Sequence, residues 1–102
     1  MYARVARFEG INVAAAEATM GQAEEVIRPM MEALDGFAGF LELIGSNGEA
    51  ISVTFFDSEQ HAEAAEPTFD LEMPKKLGGI FKDWEGHRVA VGRYEVAIDE
   101  RR

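Results

Sequence analysis

Phe37-Ala38-Gly39-Phe40-Leu41-Glu42-Leu43-Ile44, then Gly45-Ser46-Asn47-Gly48-Glu49, then Ala50-Ile51-Ser52-Val53-Thr54-Phe55-Phe56 is the stretch whose reading decides the fold. Two apolar runs, Phe37 to Ile44 and Ile51 to Phe56, flank a block of turn residues, and Asn-Gly is the strongest short hairpin signal because both residues tolerate positive φ. With a two-residue turn at Asn47-Gly48, Ser46 faces Glu49, and counting back pairs Ile44 with Ile51, Glu42 with Val53 and Phe40 with Phe55 on one face. The opposite face carries Leu41 beside Thr54 and Leu43 beside Ser52. Apolar residues therefore stand on both faces, and because side chains alternate along each strand this two-sidedness holds for any turn length.

Upstream of the hairpin, Tyr2 to Phe8 holds β-branched and aromatic residues without Gly or Pro and reads as a strand ending near Glu9, before Gly10. From about Ala15 to Leu34, Met20, Ala23, Ile27, Met30, Met31 and Leu34 recur at helical spacing, with Glu24, Glu25, Arg28 and Glu32 on the other face. Either Asn12 caps this helix, or Thr19 with Gln22 makes a later capping box. Pro29 predicts a kink over Glu25 to Pro29, and Asp35-Gly36 ends the helix. Downstream, Ser58 caps a short helix to about Ala65 that stops before Pro67. The segment Glu66 to Gly86, with two prolines and three glycines, reads as the least regular part, with a helical turn or two around Lys75 to Trp84. Arg88 to Ile98 reads as the last strand. The order β-α-β-β-α-β predicts one α+β domain over residues 1–102, a ferredoxin-like split βαββαβ with an antiparallel sheet.

Nineteen acidic against ten basic residues give a formal charge of -9, which repels phosphate backbones and anionic lipid surfaces. Nucleic acid and membrane are accordingly not expected as partners. The N-terminal residues carry charge every few positions, without the apolar core of a signal peptide, and no apolar run is long enough to span a bilayer, so a cytoplasmic protein is expected. The absence of cysteine excludes disulfides, thiolate nucleophiles and cysteine-ligated metals. Any chemistry rests on other side chains.

Three segments carry a family resemblance. Ile27 to Phe40 is similar to a proline-bearing helix running into a Gly-Phe-x-Gly strand opening. Val53-Thr54-Phe55-Phe56-Asp57-Ser58-Glu59-Gln60 is similar to a third strand entering an acidic-Ser helix cap, and Gly92-Arg93-Tyr94-Glu95-Val96-Ala97 to a last strand. In this order and spacing they resemble the antibiotic-biosynthesis-monooxygenase superfamily. That resemblance implies a homodimer joined through its sheets, a dimeric α/β barrel, and for some members cofactor-independent oxygenation of polycyclic aromatic substrates. Other members degrade haem, and there the resemblance would require an asparagine in the first strand, a tryptophan late in the helix after the third strand and a ligating histidine beyond it. The matching places hold Ala6 or a neighbour, Ala65 and the segment Met73 to Lys76, so haem is not expected, and neither is any other cofactor.

Among candidate site residues, His61 lies in the second helix within reach of Asp57 and of Glu63 or Glu66, and its charge changes near neutral pH, as a proton carrier requires. The competing reading is a surface histidine beside acids. One imidazole with carboxylates at loose spacing is not a metal motif, so no metal site is assigned. Trp84 and His87 flank Glu85-Gly86, and can line the mouth of a pocket or simply close the core and begin a strand. Tyr94 either points its hydroxyl into that pocket or packs as a strand aromatic. Two functions follow: an enzyme, a cofactor-free oxygenase with His61 or His87 as base and Trp84 and Tyr94 lining an apolar, ring-containing substrate, or a noncatalytic dimeric ligand-binding or interaction module.

Overall fold

The computed structural model describes residues 1–101. Its elements run β1 (Tyr2–Ile11), α1 (Val13–Glu32), β2 (Phe37–Ile44), β3 (Ala50–Phe56), α2 (Glu59–Ala64), a π-helical turn (Thr68–Glu72), α3 (Met73–Trp84) and β4 (Glu85–Glu95). The four strands form one antiparallel sheet in the order β2-β3-β1-β4. This is the ferredoxin-like α+β arrangement that the element order predicts.

The hairpin forms, but with a longer turn. Gly48 N–H donates to Gly45 O (3.0 Å) and Gly45 N–H to Glu49 O (2.7 Å), so three residues, Ser46, Asn47 and Gly48, make the loop, with Gly48 in the left-handed region at φ 86°. The extra loop residue slides the register by one: Ile44 pairs with Ala50, Glu42 with Ser52, and Leu41 with Val53. One face then holds Phe40, Glu42 and Ile44 beside Thr54, Ser52 and Ala50. The other holds Leu41 and Leu43 beside Val53 and Ile51, joined across β1 by Val5.

Asn12 caps α1, its side chain accepting from Ala15 N–H (3.1 Å), while Thr19 lies inside the helix and gives its hydroxyl to Ala15 O (2.8 Å). The helix runs on through Pro29, whose exposed position in the last turn leaves the freed carbonyl to solvent. Buried Ala16 and Ala23 let α1 approach its neighbours closely.

The segment expected to be irregular is helical instead. Met73, Leu77, Ile80, Phe81 and Trp84 recur at helical spacing, with Leu77 fully buried, whereas nothing lies near where a Cβ would stand on Gly78 or Gly79. Pro74 has no N–H for the carbonyl of Asp70 and would collide with it in a regular helix. The chain widens into a π turn just there. Because α3 reaches Trp84, β4 begins at Glu85 rather than Arg88 and ends at Glu95 rather than Ile98. The helices cover one sheet face, with Phe56, Ala62 and Ala65 buried together against Leu34 and Phe69. Leu41, Leu43 and Tyr94 stay largely exposed on the other. Among the described residues no helix is long and apolar enough to cross a membrane.

Candidate functional site

Between the helices and the sheet lies a cavity of about 490 Å³, within the range of small-molecule sites. Its floor is the helix-facing row of three adjacent strands: Arg4, Ala6 and Phe8 from β1, Ser52 and Thr54 from β3, Glu42 from β2. Met20, Ile27 and Met31 of α1 and Met73, Phe81 and Trp84 of α3 form its roof, with Phe69 of the π turn beside them. Glu85, Gly86, His87 and Arg88 stand at one end, where Glu85 holds φ 62°, a conformation few side-chain-bearing residues adopt.

Glu42 is the most perturbed group in this cavity. Ser52 Oγ lies 2.7 and 2.8 Å from its two carboxylate oxygens and donates to them. Glu42 is exposed as a residue, yet desolvation by the protein around its carboxyl pushes the pKa up to about 6, against the lowering effect of the Ser52 hydroxyl. A carboxyl so tuned can accept a proton near neutral pH. Arg4, 2 % exposed, sits two strands away. Its Nε donates to Glu66 Oε1 (2.9 Å), and the Phe69 ring covers its guanidinium with the centroid 3.9 Å from Cζ.

Of the four residues singled out in the sequence, Trp84 and His87 line the cavity; His61 and Tyr94 do not. Trp84 Nε1–H donates to Thr19 Oγ1 (2.6 Å), tying α3 to α1, and its ring stands 5.1 Å from that of Phe81. Trp84 thus anchors its segment and offers an aromatic wall at once. His87 is exposed. Tyr94 pairs with Ala3 on the open sheet face and curls back over Gly92. Glu42, Arg4 and Ser52 were not singled out, though a readable signal existed: a charged residue in an otherwise apolar alternate row, Phe40-Glu42-Ile44 or Tyr2-Arg4-Ala6-Phe8. Among the described residues no cluster of three or more His, Asp or Glu side chains is placed to hold a metal ion.

His61 works at the junction of β2, β3 and α2. Its Nδ1–H donates to Asp57 Oδ1 (2.6 Å), the carboxylate having no proton to give. That bond raises the His61 pKa and lowers that of Asp57. Histidine's contribution to stability is full below its ordinary 6.5 and is lost as pH rises through the raised value; aspartate's is present above its ordinary 3.8 and lost as pH falls through the lowered one. The pair steadies the corner most between those two pH values. Gly36, at φ 74°, lies beneath it, and a Cβ there would overlap Asp57 Oδ1 and His61 Nδ1. We expect Gly36→Ala to destabilise the protein by about 2–4 kcal/mol, from the left-handed backbone and the overlap together. Urea unfolding checks this, and the deficit of His61→Ala should be widest between pH 3.8 and 6.5. A deficit constant with pH would remove the ion pair from the explanation.

No protein-family model matches the chain, and no curated protein does. Solved structures do. A dimeric ferredoxin-like protein from an uncultured marine organism superposes with a TM-score of 0.68 at 14% identity, over 100% of both chains. Rv0793 from Mycobacterium tuberculosis does so with a TM-score of 0.58 at 16% identity, over 98% of each. At such identities the likeness establishes the ferredoxin-like fold and nothing narrower.

Proposed function

We propose that the protein is a member of the antibiotic-biosynthesis-monooxygenase superfamily: a cytoplasmic homodimer that binds an apolar, ring-containing molecule between its helices and sheet and oxygenates it without a cofactor. The observation that carries this reading is Glu42, a carboxyl raised to about 6 in the wall of a 490 Å³ cavity whose roof is built of methionine, isoleucine and aromatic side chains. Glu42 takes a proton from a ring CH₂ activated by conjugation. The carbanion reduces dioxygen, one oxygen atom becoming a new carbonyl and the other leaving as water with both hydrogens. Trp84 supplies a face for the rings, and His87 at the cavity's end passes the proton toward solvent. His61 and Tyr94 lie outside this chemistry, the first holding its corner and the second belonging to the dimer face.

The test is oxygen uptake with a panel of anthrone-like and quinol-like compounds. Uptake above a buffer control should climb as Glu42 ionises through about pH 6 and level off above it. No uptake with any compound would sink the oxygenase. The second reading, a noncatalytic dimeric ligand-binding module, keeps the cavity and drops the proton transfer. It is favoured by the histidines, one paired with Asp57 outside the cavity and the other exposed with no carboxylate partner among the described residues.

A further inference from the structure

Strand β4 changes the face it presents at the end of the cavity. Along β1 and β4, Arg4 stands opposite Arg93 and Ala6 opposite Val91, so alternation would set Val89 opposite Phe8 on the helix side. A register shift between Arg7 and Phe8 sets Arg88 there instead. One extra residue in β4 thus turns a long cation toward the helices, as bulges beside binding sites often do. Arg88 Nη1 donates to Asp70 Oδ1 of the π turn (2.8 Å). Both residues line the cavity, and their side chains are 42% and 44% exposed, so the bond lies where the cavity meets water.

We infer that the ion pair of Asp70 and Arg88 is a gate across the cavity's entrance, which parts to admit and release a neutral small molecule. This rests on the reading of the cavity as a small-molecule site, though not on the oxygenation proposed there. Each side of the gate has a way to move. Phe69 seats the π turn on the core, whereas Asp70, Leu71 and Glu72 after it are exposed, so the turn can pivot about that ring. Arg88 lies beyond the bulge on an edge strand whose opening residues, Glu85 and Gly86, both hold positive φ. The roof stays in place meanwhile, because α3 packs on α1 and the π turn rather than on the sheet, and Trp84 ties it to Thr19. Parting the pair costs little, since each charge then faces water. The cavity's other edge, along β2, is a harder passage. Glu42 stands there exposed with the Ser52 hydroxyl as its partner, and an apolar molecule sliding past must strip water from its ionised carboxylate. At the gate the two charges cancel.

Contact quenching of Trp84, the chain's one tryptophan and part of the cavity roof, reads entry directly. Bromonaphthalene is neutral, and its bromine quenches an indole only near contact, so molecules held on the open sheet face go unseen. Stopped-flow mixing gives the rate of entry, and a chase with unbrominated naphthalene gives the rate of exit. An exposed ion pair holds such a gate shut by about two- to five-fold. Asp70→Asn should therefore speed entry and exit alike by that factor and leave the dissociation constant unchanged. Salt at about 1 M screens exposed charges and should bring the wild-type rates up to those of the variant. Exchanging the charges, Asp70→Arg with Arg88→Asp, keeps the combined length and should restore the slow rates. Rates in Asp70→Asn equal to wild type, a changed dissociation constant, or rates still fast in the exchange each overturn the gate and leave the cavity reading standing. Absence of Trp84 quenching in the wild type overturns both.

Discussion

Leu43→Glu should convert a dimer of 11.3 kDa chains into a folded monomer, with the dissociation constant raised at least about a hundred-fold. Leu43 points away from the helices, is 50% exposed, and shares its face with Leu41, Val53, Ile51 and Val5. A face this apolar is seldom left bare, and one layer of helices covers only the opposite side. A two-fold interface places each Leu43 and its symmetry mate in the same shared patch, so one substitution introduces two charges where there were two apolar contacts. Being half-exposed in the single chain, Leu43 contributes little to the chain's own core. The variant should therefore keep its circular dichroism spectrum. Light scattering during gel filtration at micromolar concentration decides the matter. A wild-type mass of one chain, or a variant that unfolds outright, contradicts the proposed sheet-to-sheet dimer.

Glu42→Gln should lower oxygen uptake by about 10²–10⁴-fold, the range supplied by a positioned general base, while leaving ligand binding nearly unchanged. The amide keeps the shape and can still meet the Ser52 hydroxyl, but it cannot take a proton. Stability offers an independent readout. A carboxyl whose folded pKa is raised from 4.5 to about 6 disfavours the folded state once it ionises, so above that pH the variant should be no less stable than the wild type. A residue that merely held β2 to β3 would behave in the opposite way: its loss would lower the melting temperature and spare turnover. Retained uptake in Glu42→Gln transfers the base role to His87 or removes it altogether.

Element identity was readable wherever one local signal dominated. The stretch from about Ala15 to Leu34 declares its helix by period, and Asn47-Gly48 declares its hairpin by chemistry. The register was not readable, because Asn-Gly fits both a two-residue turn and the last two places of a three-residue loop. Only closure of Gly45 onto both Gly48 and Glu49 distinguishes them. Helix α3 was obscured for another reason. Pro67, Pro74, Gly78 and Gly79 depress local helix propensity, and burial of Leu77 with Phe81 and Trp84 overrides it. In the site, Trp84 and His87 were visible by residue type, whereas Glu42 and Arg4 become visible only when strand alternation is followed residue by residue across the sheet.

The cavity's two walls also divide labour in a way that bears on how such proteins diverge. The polar groups of its floor, Arg4, Glu42, Ser52 and Thr54, sit on hydrogen-bonded strands, where any shift disturbs a neighbour. The groups that set its outline, Met20, Ile27, Met31 and Met73, sit on helices and are largely unbranched, the kind of side chain most readily exchanged without repacking. Exchanges there can redraw the outline for a different molecule while Glu42, Arg4 and Ser52 stay in place. The fold tolerates such exchange, for its backbone superposes on that of the marine ferredoxin-like protein along its whole length at 14% identity.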